Sequence, residues 1–161
     1  MDNFKEAKQN KVEMHEKQLE EYEKHAEDLA NKREHSDRMY EFLRSQVRDE
    51  SDKMMLDTAR DDSDIRFQEA FREQVEAPTT EIKKELDEDA DELFAENRSI
   101  IGAVEQVDAT GVDDDVKSKV KTELGKSANE YAAMGQAARD IIAKSDEKIN
   151  ASRIRVLGMY K

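Results

Sequence analysis

Residues 19–54, LEEYEKHAEDLANKREHSDRMYEFLRSQVRDESDKM, contain no Gly and no Pro, and their spacing decides the fold. Leu19, Tyr22, Ala26, Leu29, Arg33, Ser36, Tyr40, Leu43, Val47, Glu50 and Met54 fall at alternating steps of three and four. An α-helix returns side chains to one face at that interval, whereas a strand, with period two, does not. Arg33, Ser36 and Glu50 are polar flaws in the stripe. The run without Gly or Pro extends over 4–58, which predicts one helix there. If that helix breaks, the place is Asn31 to Ser36, because Ser36 is a possible N-cap. Unbroken, it would run roughly 80 Å. Such a helix cannot bury its stripe on itself and needs another helix beside it.

The same reading continues toward the C-terminus. Asp61-Asp62-Ser63-Asp64 is an acidic, cap-forming cluster that reads as the next punctuation and could start a helix or lie within one. After it, Phe67, Phe71, Val75, Pro78, Ile82, Leu86, Asp89, Leu93, Asn97, Ile100 and Val104 keep one stripe, predicting a helix over 63–107. Pro78 lacks an N–H and crowds the preceding turn, so a kink or a very tight restart of the helix is expected there. Residues 108–112 are the clearest loop. Gly111 suits the left-handed position after a helix, and Asp113-Asp114-Asp115 supplies an N-cap and an acidic first turn. From Val116, the residues Val120, Leu124, Ala128, Tyr131, Gly135, Ala138, Ile142, Ser145, Ile149, Ser152 and Val156 carry a third helix, over 113–158. The chain thus reads as a single all-α domain over 1–161, its long, coiled-coil-like helices forming an antiparallel three-helix bundle or an extended helical hairpin.

Composition narrows the function classes. Of 161 residues, 36% are apolar and 42% charged, with one Pro, five Gly and no Trp, which suits long helices and not a compact α/β enzyme. The absence of Cys excludes disulfides, thiolate metal sites and cysteine nucleophiles. The net charge of −13 argues against nucleic acid, whose phosphates are held by Lys and Arg. The polar opening Met1-Asp2-Asn3-Phe4-Lys5-Glu6 is unlike a secretory signal, and no apolar run reaches membrane-spanning length, so the expected place is the cytoplasm. There is no Gly-rich phosphate loop, no Gly-x-Ser-x-Gly elbow and no His-Glu-x-x-His. His15, His25 and His35 recur every ten residues, a step that turns a helix by about 1000° and so sends them to different faces. Around Gly111 a calcium loop would need a carboxylate at Gln106 and a bidentate Glu at Lys117. The expectation is a non-enzymatic protein without metal or cofactor.

What remains is helix-to-helix recognition. Tyr40, Leu43 and Val47 on the first stripe, and Phe67, Phe71 and Phe94 beside the acidic centre, are the expected anchors for a partner with long helices, or for self-association. The basic, apolar end from Arg153 to Lys161 offers an alternative, a helix lying on an anionic membrane surface. Packing of Ile154, Val156 and Leu157 into the last helix is the plainer use of that segment.

Between Lys24 and Ile101, a charged helix reaches Tyr40-Glu41-Phe42-Leu43, the pair Phe67 and Phe71 follows, and a second charged helix runs through Ile82, Leu86, Leu93 and Phe94 to Arg98. This layout resembles the small helical partner proteins encoded beside effectors of Gram-positive type VII secretion. The resemblance covers about half the chain and implies a chaperone that binds an effector's long helical region and is exported with it. Two features of that system are missing: there is no Trp-x-Gly turn, and Tyr22, Tyr40 and Tyr131 are followed four residues later by Ala26, Arg44 and Gly135 in place of an acid.

Overall fold

A computed structural model describes residues 3–158. The described residues are all-α, with α1 over Asn3–Gln46, α2 over Glu50–Phe71, α3 over Ala77–Asp108 and α4 over Asp114–Leu157. A π-helical turn, Arg72–Glu76, joins α2 to α3.

The expected first helix, 4–58, ends early, at Gln46. Asp49 takes an extended conformation (φ −75°, ψ 128°) and its carboxylate accepts the Ser51 N–H at 2.9 Å, while Glu50 and Asp52 fill the first turn of α2. This is an N-cap with the acidic charge that a helix dipole favours, and it needs neither Gly nor Pro. Asn31 to Ser36 does not break; the Ser36 hydroxyl instead lies 3.4 Å from that of Ser63 on α2. Of the two readings of the cluster Asp61 to Asp64, the second holds: it lies within a helix, α2.

Just upstream of Pro78 the helical pitch changes. The Ala77 N–H bonds to the Arg72 carbonyl, five residues back. This wider turn opens the ladder where Pro78 brings no N–H and a crowding ring. The Thr79 hydroxyl donates to the Val75 carbonyl at 2.6 Å, and that of Thr80 to the Glu76 carbonyl at 2.8 Å. Backbone angles stay right-handed helical at Phe71 and Ala77. The turn also re-phases the stripe, so that Thr79 is buried where Pro78 was expected.

The loop before α4 keeps its place but not its predicted conformation. Among the described residues the glycine with positive φ is Gly158 (φ 74°), after α4, and not Gly111. The turn is closed by Ala109 N–H to Gln106 O and Thr110 N–H to Val107 O, and it needs no left-handed residue. Asp113 does stand at the head of α4, its carbonyl accepting the Lys117 N–H at 2.9 Å.

Where the sequence reads as one domain, contacts divide the chain into two compact units. Unit one takes the chain up to Glu16 together with Lys83–Ala143; unit two takes Lys17–Ile82 together with the chain from Lys144. α1, α3 and α4 each give a segment to both.

In unit one, Lys8 meets Asp89 and Glu92, and His15 meets Glu85, so α1 and α3 run antiparallel. Arg139 reaches Asp91, and the Asn97 amide donates to the Ala128 carbonyl at 2.6 Å, which sets α4 antiparallel to α3. Leu86, Ala90, Leu93 and Ala138 are fully buried in this unit. Gly135 lets the slim α4 approach: a Cβ there would stand 2.8 Å from the Phe94 ring. Asp89 is also buried, its Oδ1 accepting from Lys8 at 2.9 Å. Burial would lower the Lys8 pKa, but hydrogen bonds to Glu92 and Asp89 outweigh it and hold the ammonium above its ordinary value.

In unit two, Ala26, Leu29 and Ala30 of α1, Phe71 of α2, Val75, and Ile149 and Val156 of α4 form one core cluster. Burying each larger apolar side chain contributes about 1.5–3 kcal/mol. Each unit therefore has an antiparallel three-helix core and, beyond it, a two-helix hairpin: α1 and α2 past the C-terminal end of α4 in unit two, α3 and α4 past the first turn of α1 in unit one. No helix of the described residues is long and apolar enough to cross a membrane.

Candidate functional site: the α1–α2 hairpin

The hairpin of unit two leaves its core at an ionic layer built around Arg33, one of the polar flaws in the first stripe. Arg33, 7% exposed, donates from Nη1 to Asp37 Oδ2 at 2.6 Å and pairs through Nη2 with Asp64 Oδ2 at 3.0 Å. Arg60 of α2 crosses back to Asp37 at 3.3 Å and to Glu41 at 3.4 Å. Gly158 closes the layer from the end of α4; a Cβ on it would come within 3.0 Å of the Arg33 guanidinium, and its positive φ suits glycine. Around these groups lies an open cleft of about 660 Å³ that also includes Glu34, Arg38, Asp57, Asp61 and Leu157.

Electrostatics within the layer are tightly balanced. Burial raises the Asp64 pKa above its ordinary value, and the neighbouring Asp37 carboxylate adds to this, against the pull of Arg33 and Arg60. One Asp64 oxygen, Oδ1, has no hydrogen-bond partner among the described residues. At the edge of the layer, Glu34 is held below the ordinary carboxylate range by the hydrogen bond from Arg155.

Beyond the layer the hairpin is apolar on the outside. Met39 is 46% exposed, Phe42 58%, Leu43 42%, Met54 68% and Met55 69%. On α1, Met39, Phe42 and Leu43 share one face by their steps of three and four. At about 100° per residue, that face is turned away from Glu34, Asp37, Arg38 and Glu41, which line the cleft. On α2, Met55 is likewise turned away from Asp57, Asp61 and Asp64. The two helices therefore offer an ionic face toward the end of α4 and an apolar face on the other side. Scattered apolar side chains are ordinary on a protein surface; a cluster on two adjoining helices makes this hairpin the candidate site.

The six anchors expected from the sequence do not form one site. Tyr40, Leu43 and Val47 come together on the α1–α2 hairpin, with Tyr40 and Val47 half-buried and Leu43 exposed. Phe71 is 2% exposed and belongs to the core of unit two, with Phe67 packed against the same cluster. Phe94 lies in unit one against Gly135, with the Arg139 guanidinium 4.5 Å from its ring centre. These three phenylalanines are engaged in the chain's own packing, because their heptad positions face α4 or its flank. Phe42, Met39 and Met55 were missed because they stand off the stripe. The available signal was the apolar excess itself, Phe42 next to Leu43 and Met55 next to Met54, since one narrow face cannot hold both members of such a pair.

Arg153 pairs with Glu76 and lies 5.9 Å from the Phe71 ring centre, Arg155 pairs with Glu34, and Val156 is fully buried. Met159, Tyr160 and Lys161 of the basic end lie outside the described residues. His15 sits in unit one beside Glu85, His25 hydrogen-bonds Gln74 at 2.7 Å in unit two, and His35 is exposed. No protein-family model, curated protein or solved structure matches this chain.

Proposed function

We propose that this chain is a non-enzymatic helical interaction protein that covers a partner's helices, most concretely a secretion partner that keeps a helical effector soluble and escorts it. One observation carries the reading: Met39, Phe42, Leu43, Met54 and Met55 are exposed on two helices that run past the end of the third. Two packed helices present a seam into which a further helix fits by ridges and grooves. Covering these half-exposed side chains contributes on the order of 1 kcal/mol each. Methionine, unbranched and polarizable, adapts such a surface to side chains of varied shape.

Photo-crosslinking in the native cell tests this. A benzophenone amino acid at Phe42 is expected to join a protein whose cross-linked peptide lies in a long helix, and the purified pair is expected to form a complex that Leu43→Glu abolishes. Equal cross-linking from Val116, on the other hairpin, or no adduct at Phe42, would overturn the proposal.

A further inference from the structure

The charge around the apolar face of the α1–α2 hairpin selects the kind of helix it takes. We infer that its occupant is a basic amphipathic helix, with a stripe of bulky apolar residues flanked by Lys or Arg; the inference rests on the helical-partner reading above. Residues 35–64 carry nine carboxylates against five Lys and Arg. Several of the cations are already spent: Arg60 on Asp37 and Glu41, Arg44 on Asp57, and Lys53 on Glu50. Asp62 stands exposed on α2. Seven residues are two helical turns, so Asp62 shares a face with Met55. Met55, on the apolar face, therefore has a solvated carboxylate beside it, an arrangement that favours Lys or Arg along the edge of an incoming helix.

A second copy of this chain fits less well. Its own hairpin would bring the same excess of carboxylates, and each chain carries a net charge of −13. Like-charged patches brought face to face discriminate against that pairing.

The probe is a fluorescein-labelled, 18-residue Leu/Lys peptide with Leu at steps of three and four, and its counterpart with Glu in place of Lys. Fluorescence anisotropy with the full chain is expected to show binding of the Leu/Lys peptide at least tenfold tighter than of the Leu/Glu peptide. Phe42→Glu is expected to weaken it at least tenfold. Asp62→Lys is expected to weaken it severalfold at low salt and less at high salt, and Val116→Glu to leave it unchanged. The substituted side chains are exposed, so circular dichroism should show an unchanged helix content. Equal binding of the Leu/Glu peptide, still lost with Phe42→Glu, would overturn the basic preference while leaving helix docking intact. Leu/Lys binding indifferent to Phe42→Glu, or a chain whose mass doubles with concentration unless Phe42 is Glu, would overturn the assignment. Failure of both peptides at this face would remove the helical-partner reading as well.

Discussion

The two hairpins leave their cores in similar ways and then differ. In unit two the base is ionic, with Arg33, Asp37, Arg60 and Asp64 locked between α1 and α2. In unit one the base is neutral: the Asn97 amide reaches the Ala128 carbonyl at 2.6 Å. Past the base, residues 98–127 carry six carboxylates and five Lys or Arg, and the exposed apolar residues are Ile101, Val112, Val116 and Val120. The α1–α2 hairpin instead has excess acid, three exposed methionines and Phe42. Both bases place a polar group where the three-helix core gives out, which fixes register, because a buried polar atom tolerates only the alignment that satisfies it. Only one hairpin also carries a large, adaptable apolar surface, and the functional proposal is confined to it.

The largest effect expected from this contrast is at the bases. Arg33→Leu leaves Asp37 and Asp64 sharing a buried site without their main cation, and breaking such a pair costs about 3–5 kcal/mol. Asn97→Ala removes one neutral hydrogen bond, at a cost of about 1 kcal/mol. Hydrogen exchange should show the first variant opening α2 and the C-terminal half of α1, and the second opening only the α3–α4 hairpin. Equal losses in denaturant would mean that the ionic layer is not what distinguishes the two.

That layer marks where sequence reasoning succeeded and where it stopped. The stripe from Leu19 onward gave the all-α class, because periodicity is a property of one helix and survives without knowledge of its neighbours. Arg33 stood out as a flaw, and Asp64 as part of a punctuating cluster. Their partnership was illegible because the chain gives no register between α1 and α2 until the turn at Val47–Asp49 is known. The turn was hidden in a cap, Asp49 to Ser51, in a run where Gly and Pro were the expected signals. Of the candidate site, Tyr40, Leu43 and Val47 are legible because the stripe contains them. Phe71 was misassigned because an aromatic residue on a stripe looks the same whether its covering helix belongs to the chain or to a partner.

A smaller effect is expected from pH. The Asp64 pKa is raised by burial and by Asp37, so the folded chain holds that proton more tightly than the unfolded one. The contribution of this group to stability is complete below the ordinary value of 3.8 and is lost as pH rises through the native value. Glu34 has the opposite sign. Its pKa is lowered by Arg155, so its contribution is present above the ordinary 4.5 and lost as pH falls through the native value. Acidification therefore tightens the base of the α1–α2 hairpin while it loosens the hold of α4 on α1. Asp64→Asn should flatten the first dependence and leave the second, as followed by exchange rates in α2 and in the last turns of α4. An unchanged pH profile in α2 would show that Asp64 titrates as it does in the unfolded chain.

The smallest effects sharpen the contrast from the side of unit one, through two glycines of α4 that differ only in what faces them. A Cβ on Gly125 would meet nothing within 4 Å, whereas one on Gly135 would press on Phe94 at 2.8 Å. Replacing a mid-helix glycine by alanine restricts the unfolded chain and stabilises by about 0.5–1 kcal/mol where space allows. Gly125→Ala should therefore raise the denaturation midpoint. At Gly135 the same gain is opposed by the displacement of a ring held between α4 and Arg139, and overpacking of this kind costs about 1–3 kcal/mol. The net expectation is a loss of about 1 kcal/mol. Phe94→Leu in the Gly135→Ala background should recover part of it, because the shorter side chain clears the added methyl. If both alanines stabilise equally, the Phe94 ring yields without cost, and the close approach of α3 and α4 in unit one is not set by the small residues of α4.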